Sequence, residues 1–171
     1  MAAGNRSWLR YQRSDALGLS FRRLVGRDLP FLETLYASTR LEEVASTGWP
    51  EAEQREFLSQ QFTAQHAHYL QHYPDADWLI VKFERKRIGR LYLERWPTQH
   101  RIIDIALLPD YRGQGFGAAM MQDVMDEARD AGKDVSIHVE KQNPAKRLYE
   151  RLGFEAVEDK GVYDLMKWLP N

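Results

Sequence analysis

The stretch of sequence that decides the fold is Leu107-Leu108-Pro109-Asp110-Tyr111-Arg112-Gly113-Gln114-Gly115-Phe116-Gly117. The apolar, isoleucine-rich run at 102–108 leads into it and predicts a short buried strand. After the glycines, apolar residues recur at helical spacing as far as Ala131, with acidic residues between them. Three glycines within five residues therefore join the end of a strand to the start of a helix.

A junction of this kind is suited to binding an anion. The first N–H groups of a helix have no partners inside the helix, and the helix dipole favours negative charge there. Because glycine has no Cβ, the backbone of Gly113, Gly115 and Gly117 can curl and approach a ligand closely. Arg112 adds a positive charge at the rim. These features predict a phosphate or diphosphate ligand, although the same spacing also fits a tight turn whose glycines serve only packing.

The spacing separates this turn from two common nucleotide-binding signatures. A P-loop needs Lys followed by Ser or Thr, and the dinucleotide-binding fingerprint needs G-x-G-x-x-G. Neither occurs in Gly113-Gln114-Gly115-Phe116-Gly117-Ala118. The stretch does match [Q/R]-x-x-G-x-[G/A], as Arg112-x-x-Gly115-x-Gly117. That pattern resembles the diphosphate-binding segment of the GNAT superfamily of acyl-CoA-dependent N-acyltransferases.

The composition is that of an ordinary globular domain. A chain of 171 residues, 43% hydrophobic and 29% charged, can bury a substantial core in one domain. The net charge of −1 gives no support for a nucleic-acid or membrane partner. The absence of cysteine excludes disulfides, thiolate metal ligands and a cysteine nucleophile. Since no apolar run approaches a membrane span or a signal-peptide core, the expected location is the cytoplasm.

Strands and helices are predicted to alternate around the junction. Residues 1–16 lack periodicity and are expected to form a flexible leader, followed by a single domain at 17–171. Strands are predicted near 17–21, 78–83, 88–96, 102–108, 135–139, 154–158 and 162–168, and helices near 28–39, 50–73, 116–131 and 143–152, with a loop at 41–49. The expected order is β-α-α-β-β-β-α-β-α-β-β.

A second motif carries the same resemblance. It is Asn143-Pro144-Ala145-Lys146-Arg147-Leu148-Tyr149-Glu150-Arg151-Leu152-Gly153-Phe154, which from Ala145 onward matches the A-x-x-L-Y-x-x-x-G-F ending of the family. The resemblance covers about 17–168. It implies an α/β (α+β) protein with the GNAT fold, in which a mixed, mostly antiparallel six- to seven-stranded sheet is flanked by about four helices. The sheet is expected to splay between its fourth and fifth strands, and the implied cofactor is acetyl-CoA (coenzyme A).

The resemblance also implies which residues hold the cofactor. Backbone groups of Ile105, Ala106 and Leu107 would pair with the pantetheine arm, whose amides resemble those of a peptide strand. The diphosphate would bind the backbone of Arg112, Gly113, Gln114, Gly115, Phe116, Gly117 and Ala118. Asn143 and Lys146 are predicted as further contacts. Asn143 fits a purely capping role equally well, because many relatives have this asparagine one position earlier, where this chain has Gln142.

Two residues are predicted to carry the chemistry. Tyr149 is the expected general acid, because the leaving thiolate of coenzyme A must be protonated and a tyrosine hydroxyl can supply that proton. Its spacing also fits plain core packing. Asp104 is the expected base, since it is the one charged residue in an otherwise apolar strand, where burial would strengthen it as a base. A structural carboxylate is the other interpretation, and the alternative bases are Tyr92, Glu94, His138 and Glu140.

The expected activity is transfer of an acetyl group from acetyl-CoA to a primary amine of a small molecule, peptide or protein. Without cysteine, we expect direct attack by the amine rather than a covalent acyl-enzyme. Glu42, Glu43 and Trp49 are expected to border the acceptor pocket, although a solvated loop fits them equally well. Two helical histidines four residues apart, His68 and His72, lack a third ligand, so no metal site is expected.

Two other functions remain open at this stage. One is a catalytically silent acyl-CoA-binding module of the same fold, and the other is a phosphate-binding or nucleotide-binding regulatory domain. The amine acceptor is the expected partner. The resemblance is compatible with a homodimer, because dimers are common among such folds, but the sequence does not determine the oligomeric state.

Overall fold

A seven-stranded sheet runs through the computed structural model, which describes residues 6–171. The strands are β1 (Leu19–Arg23), β2 (Asp77–Phe83), β3 (Lys86–Arg95), β4 (Gln99–Leu107), β5 (Asp134–Glu140), β6 (Glu155–Asp159) and β7 (Tyr163–Trp168). Their spatial order is β1-β2-β3-β4-β5-β7-β6, and neighbouring strands are antiparallel except for β4 and β5. The predicted mixed, mostly antiparallel sheet is confirmed.

Within residues 6–171, six α-helices accompany the sheet. They are α1 (Gln12–Ala16), α2 (Leu29–Ser38), α3 (Leu41–Ala45), α4 (Glu51–His72), α5 (Phe116–Asp130) and α6 (Lys146–Arg151). Four correspond to the predicted helices. The prediction of a loop at 41–49 was wrong over α3, which has only five residues, too few for an apolar period to show.

The segment expected to be a flexible leader is structured from residue 7 onward. Residues 1–5 lie outside the described residues, residues 7–10 form a 3₁₀ turn, and α1 follows. Trp8, Tyr11 and Ser14 are buried. Asp123 of α5 accepts hydrogen bonds from the backbone N–H groups of Arg13 (3.1 Å) and Ser14 (2.9 Å) and from the Ser14 hydroxyl (2.7 Å). The segment is held in place by Asp123, which is distant in sequence. Its docking therefore could not be recognised from a periodic pattern within the segment itself.

The helices pack on both faces of the sheet. On one face, Met120 and Val124 of α5 join a large cluster with Leu91 and Leu93 of β3. On the other face, α2 and α4 pack on Ile80 of β2 in a second cluster. The C-terminal end of β4 and the segment that follows it therefore lie between these two hydrophobic clusters.

The sheet opens between β4 and β5. These strands pair in parallel only from Gln99 with Asp134 to Ile102 with Ile137. A bulge at Ile103 follows, because β3 pairs with Ile102 and Asp104 at consecutive positions. Among the described residues, 104–107 have a strand partner on the β3 side only. The predicted splay between the fourth and fifth strands is confirmed, and it leaves a free strand edge directly before the glycine-rich stretch.

Candidate active site

The glycine turn, defined as residues 112–117, joins β4 to α5 as predicted. Gly113 and Gly115 have φ angles of 72° and 84°, and Gly115 is the N-cap residue of α5. Residues with a Cβ avoid this left-handed region, so the turn needs glycine at both positions. A Cβ added to either would meet no heavy atom within 4 Å. The turn therefore presents its backbone to open space.

The amides of this turn are available to a ligand. Ala119 donates the first bond of the helix, to the carbonyl of Gly115 (3.0 Å). Within residues 6–171, the N–H groups from Gly113 to Ala118 donate to no protein acceptor. Consecutive free donors at a helix start, in front of open space, are an arrangement that can accept an anion such as a diphosphate. Phe116 contributes only its backbone, because its ring is buried against Phe83, with a centroid distance of 5.2 Å.

The side chain of Arg112 does not extend freely from the rim. Its Nε donates to the carbonyl of Leu107 (2.9 Å), and its guanidinium also reaches the Ser38 hydroxyl at 3.4 Å. One carbonyl of the predicted pantetheine edge is thus engaged by a neighbouring exposed side chain. The rest of that edge, at Ile105 and Ala106, is half-buried and pairs only with β3 among the described residues.

Tyr149 is held in α6 beside this opening. Its side chain is buried, and its ring centroid lies 6.2 Å from that of Phe154. Its hydroxyl has no hydrogen-bond partner among residues 6–171. Burial, together with the negative charge of Asp104, raises the pKa of Tyr149 well above its ordinary value. The hydroxyl consequently keeps its proton at neutral pH, which a general acid requires before the reaction begins.

Asp104 makes a buried ion pair that the sequence did not reveal. Its Oδ2 accepts hydrogen bonds from Arg90 (2.6 Å) and from the Tyr69 hydroxyl (3.0 Å). The Arg90 side chain is only 4% exposed, and its guanidinium carbon lies 4.9 Å from the ring centroid of Tyr92. The other oxygen, Oδ1, accepts no hydrogen bond from the described residues. Asp104 is therefore held through one oxygen, and its other oxygen is still available.

Two of the other candidate bases, Glu94 and His138, are engaged more fully, whereas the buried Tyr92 hydroxyl has no hydrogen-bond partner among residues 6–171. Both carboxylate oxygens of Glu94 accept hydrogen bonds, from Asp75 and Trp96. His138 Nδ1 lies 3.2 Å from Arg101 and must accept, since a guanidinium only donates. The ring proton of neutral His138 is therefore on Nε2. Burial and the charge of Arg101 lower the pKa of His138, so the ring stays neutral without a free acceptor nitrogen.

Asn143 and Lys146 are already bonded within their own part of the fold. Asn143 Oδ1 accepts from the backbone N–H of Ala145 (2.9 Å), which matches the capping role, and Lys146 Nζ pairs with Asp164 (2.8 Å). Helix α6, which begins at Lys146, is nevertheless adjacent to the glycine turn, because a Cβ on Gly117 would lie 3.7 Å from Leu148.

Sequence reasoning missed the roles of Arg90, Gln65 and Tyr69. Arg90 also donates to Gln65 (2.9 Å), so α4 and β3 together enclose Asp104. An arginine between apolar residues in the Ile88–Leu93 run was the available signal, because a charge inside a buried strand needs a partner. The position of Tyr69 in the sequence fits an apolar side of its helix, so nothing in the sequence indicated that its hydroxyl bonds to a carboxylate.

The expected acceptor border is exposed. Glu42 and Glu43 lie on the surface of α3, and the ring of Trp49 contacts that of Phe57 with a centroid distance of 5.3 Å.

His68 and His72 stack on each other with a centroid distance of 4.0 Å. In the part of the chain that the structure describes, no group of three or more His, Asp or Glu residues could hold a metal ion. Over the same residues, no helix is long and apolar enough to cross a membrane.

Comparison with known proteins agrees with this geometry. Residues 38–154 match the acetyltransferase (GNAT) family, and the chain belongs to that family. The PaiA N-acetyltransferase of Thermoplasma acidophilum, solved with coenzyme A, has a similar fold, with a TM-score of 0.66. It is 16% identical in sequence, and the match covers 88% of this chain and 98% of that one.

Two curated relatives match shorter segments. The ribosomal protein bS18 alanine N-acetyltransferase of Haemophilus influenzae is 32% identical over 63 residues, which are 36% of this chain and 43% of that protein. The L-amino acid N-acyltransferase MnaT of Escherichia coli is 44% identical over 48 residues, which are 27% of this chain and 28% of that protein. The chain therefore spans less than half the length of these relatives.

Proposed function

We propose that this protein transfers an acetyl group from acetyl-CoA to a primary amine by direct attack of the amine on the thioester. The observation that carries the proposal is the row of free amides from Gly113 to Ala118, directly after a strand with an unpaired edge. Diphosphate and pantetheine are the chemical groups that such a row and such an edge accept. Family membership supports the same activity.

The cofactor would be held mainly by the main chain. The amides of the glycine turn would bind the diphosphate, and the edge at Ile105 and Ala106 would pair with the pantetheine amides. The carbonyl of Leu107 would join them if the exposed guanidinium of Arg112 swings from it to the phosphates. When bound, the thioester supplies the acetyl group and leaves as a thiolate.

Tyr149 would protonate that leaving thiolate. Its hydroxyl donates to no protein acceptor within residues 6–171, and its raised pKa keeps the hydroxyl protonated at neutral pH. The O–H group would therefore be available to donate to the sulfur as the C–S bond breaks. The hydroxyl Oη is thus the proposed proton donor.

Asp104 would receive the proton of the attacking amine at Oδ1. Arg90 and Tyr69 hold the carboxylate through Oδ2, which fixes its orientation and leaves Oδ1 available. We propose that Oδ1 accepts the proton directly or through one water as the C–N bond forms.

The acceptor is proposed only as an amine. The names of the two curated relatives specify different acceptors, the alanine of a ribosomal protein and L-amino acids. The proposed acceptor is therefore an amine of a small molecule, a peptide or a protein.

The test is release of thiol from acetyl-CoA across a panel of amines, amino acids, polyamines and peptides. The protein has no cysteine and adds no thiol background. Tyr149→Phe should lower kcat by about 100-fold and leave the affinity for coenzyme A unchanged by calorimetry. Tyr11→Phe is the matched control, because Tyr11 is equally buried but donates to Glu127 on α5 (3.2 Å). Coenzyme A binding without turnover of any amine would instead indicate a silent binding module.

A further inference from the structure

A strongly basic cavity lies at the β2–β3 hairpin, away from the residues assigned above. It has a volume of about 570 Å³ and opens beside Phe31 of α2 and Leu108. Its remaining lining consists of six basic side chains, from Arg22, Arg27, Lys82, Arg85, Lys86 and Arg87. We call it the basic cavity. The chain as a whole has a net charge of −1, so this local excess of positive charge does not reflect the overall composition.

Most of these charges have no partner. Asp28, whose side chain is fully buried, pairs with Arg22 (2.8 Å) and Arg87 (3.1 Å). The other four cations form no ion pair within residues 6–171. Like charges that converge on one cavity repel each other, and an anion with more than one charge relieves that repulsion.

Two of the cations are fixed in place. Asp28 accepts from two nitrogens of Arg22 (both 2.8 Å), from Arg87 and from the backbone N–H of Val25 (2.9 Å). The hydrogen bonds from Arg22, above all, hold the pKa of Asp28 well below its ordinary value. The guanidinium carbon of Arg87 also lies 5.1 Å from the ring centroid of Phe31. Planar guanidinium groups held in one orientation favour binding of phosphate oxygens.

The hairpin turn keeps a cation at a strained position. Glu84 and Arg85 have φ angles of 50° and 68°, the left-handed region in which glycine and asparagine are favoured. Glycine at residue 85 would remove the strain, but it would also remove one positive charge from the cavity. Backbone strain of this kind is consistent with a binding role for the side chain.

The apolar residues beside the basic cavity and the rings beside the glycine turn belong to different cores. Phe83 packs against Tyr111 (6.2 Å between centroids) and Phe116 (5.2 Å), in the cluster that contains α5. Phe31 and Leu108, which line the cavity, belong to the cluster that contains α2. The residues that line the basic cavity therefore include none of the glycine turn.

We propose that the basic cavity binds a small phosphorylated molecule that is distinct from the cofactor. The basic side chains would contact its phosphate oxygens, and Phe31 and Leu108 would contact its less polar part. A phosphate could also come from the cofactor, as the 3′-phosphate of coenzyme A, so the experiment separates these two sources.

The test is calorimetric titration of inorganic pyrophosphate into the full chain saturated either with coenzyme A or with dephospho-coenzyme A. We expect saturable binding of one pyrophosphate in both forms, weakening as salt is added. Arg85→Gly should weaken this binding about tenfold, because one charge-assisted contact is lost while the backbone conformation becomes easier. Glu84→Gly is the matched control. It relieves the neighbouring strained position without removing a cation, and it should leave the affinity unchanged or tighter.

Three results would overturn the proposal. They are failure of pyrophosphate to bind either form, equal weakening by both glycine substitutions, and binding confined to the form with dephospho-coenzyme A. The last result would assign the cavity to the 3′-phosphate of the cofactor. Comparing wild type with Arg85→Gly in the protein without coenzyme A keeps the test independent of the proposed acetyltransferase activity. Thermal unfolding of each variant confirms that it is folded.

Discussion

Replacing Asp104 with alanine separates its structural role from its proposed catalytic one. The change leaves the guanidinium of Arg90, whose side chain is 4% exposed, without the carboxylate that lies 2.6 Å away. Removing one partner of a buried ion pair costs about 3 to 5 kcal/mol. Because Arg90 keeps its bond to Gln65, we expect the lower end, about 3 kcal/mol, or a Tm lower by roughly 6 to 12 °C for a chain of this length.

The double variant Arg90→Met with Asp104→Leu removes both charges and fills the site with apolar side chains. Such replacements of a buried pair are often neutral, so we expect stability within about 1 kcal/mol of wild type. If Asp104 is the proton acceptor, the double variant should fold normally and still fail to release thiol from acetyl-CoA. Urea unfolding gives the stability, and the thiol assay with the best amine gives the activity.

Two outcomes would refute this reasoning. A loss of less than about 1 kcal/mol for Asp104→Ala would contradict the buried-pair assignment. Recovery of turnover in the double variant would show that Asp104 acts only in folding. Asp126→Ala is the control, because Asp126 is 41% exposed and pairs with Arg13 and Arg129 at the surface, where such pairs contribute about 0.5 kcal/mol.

Three further predictions concern the turn, the N-terminal segment and pH. Gly115→Ala, at a φ of 84°, should destabilise the fold by about 1 kcal/mol and weaken coenzyme A binding in calorimetry, because its Cβ enters the space in front of the amides. Asp123→Ala removes the acceptor of three hydrogen bonds to the N-terminal segment and should cost about 2 to 3 kcal/mol in urea unfolding, with faster proteolysis of that segment. Burial raises the pKa of Glu127, but the close contact with His100 Nε2 and the hydrogen bonds from Arg95 outweigh it and lower the pKa from 4.5 to about 2. Glu127 should therefore stabilise the fold fully above pH 4.5 and lose that contribution as pH falls toward 2, so the stability gap between wild type and Glu127→Gln should close over that interval.

The features predicted correctly from the sequence are those encoded by neighbouring residues. The glycine turn needs left-handed backbone at Gly113 and Gly115, and the strand and helix beside it carry their own periodic patterns. The short motif around Tyr149 is equally local. The mixed sheet and its opening between the fourth and fifth strands were expected from the family resemblance, since strand pairing is not readable from one sequence.

The features that were missed depend on residues far apart in the chain. Asp104 lies opposite Tyr92 only because the bulge at Ile103 shifts the register of β4. That shift, together with the placement of α4, brings Arg90 and Tyr69 to the carboxylate. Docking of the N-terminal segment likewise depends on one carboxylate of α5, at Asp123, which in the sequence looks like an ordinary helix-surface residue.

The central claim is that bare amides of the glycine turn bind the diphosphate of acetyl-CoA. Titration of acetyl-CoA into ¹⁵N-labelled protein tests it directly by nuclear magnetic resonance. The largest amide shifts should occur from Gly113 to Ala118, with further shifts along Ile105–Leu107. Acetyl-CoA binding that leaves the resonances of Gly113 to Ala118 unmoved would contradict the account.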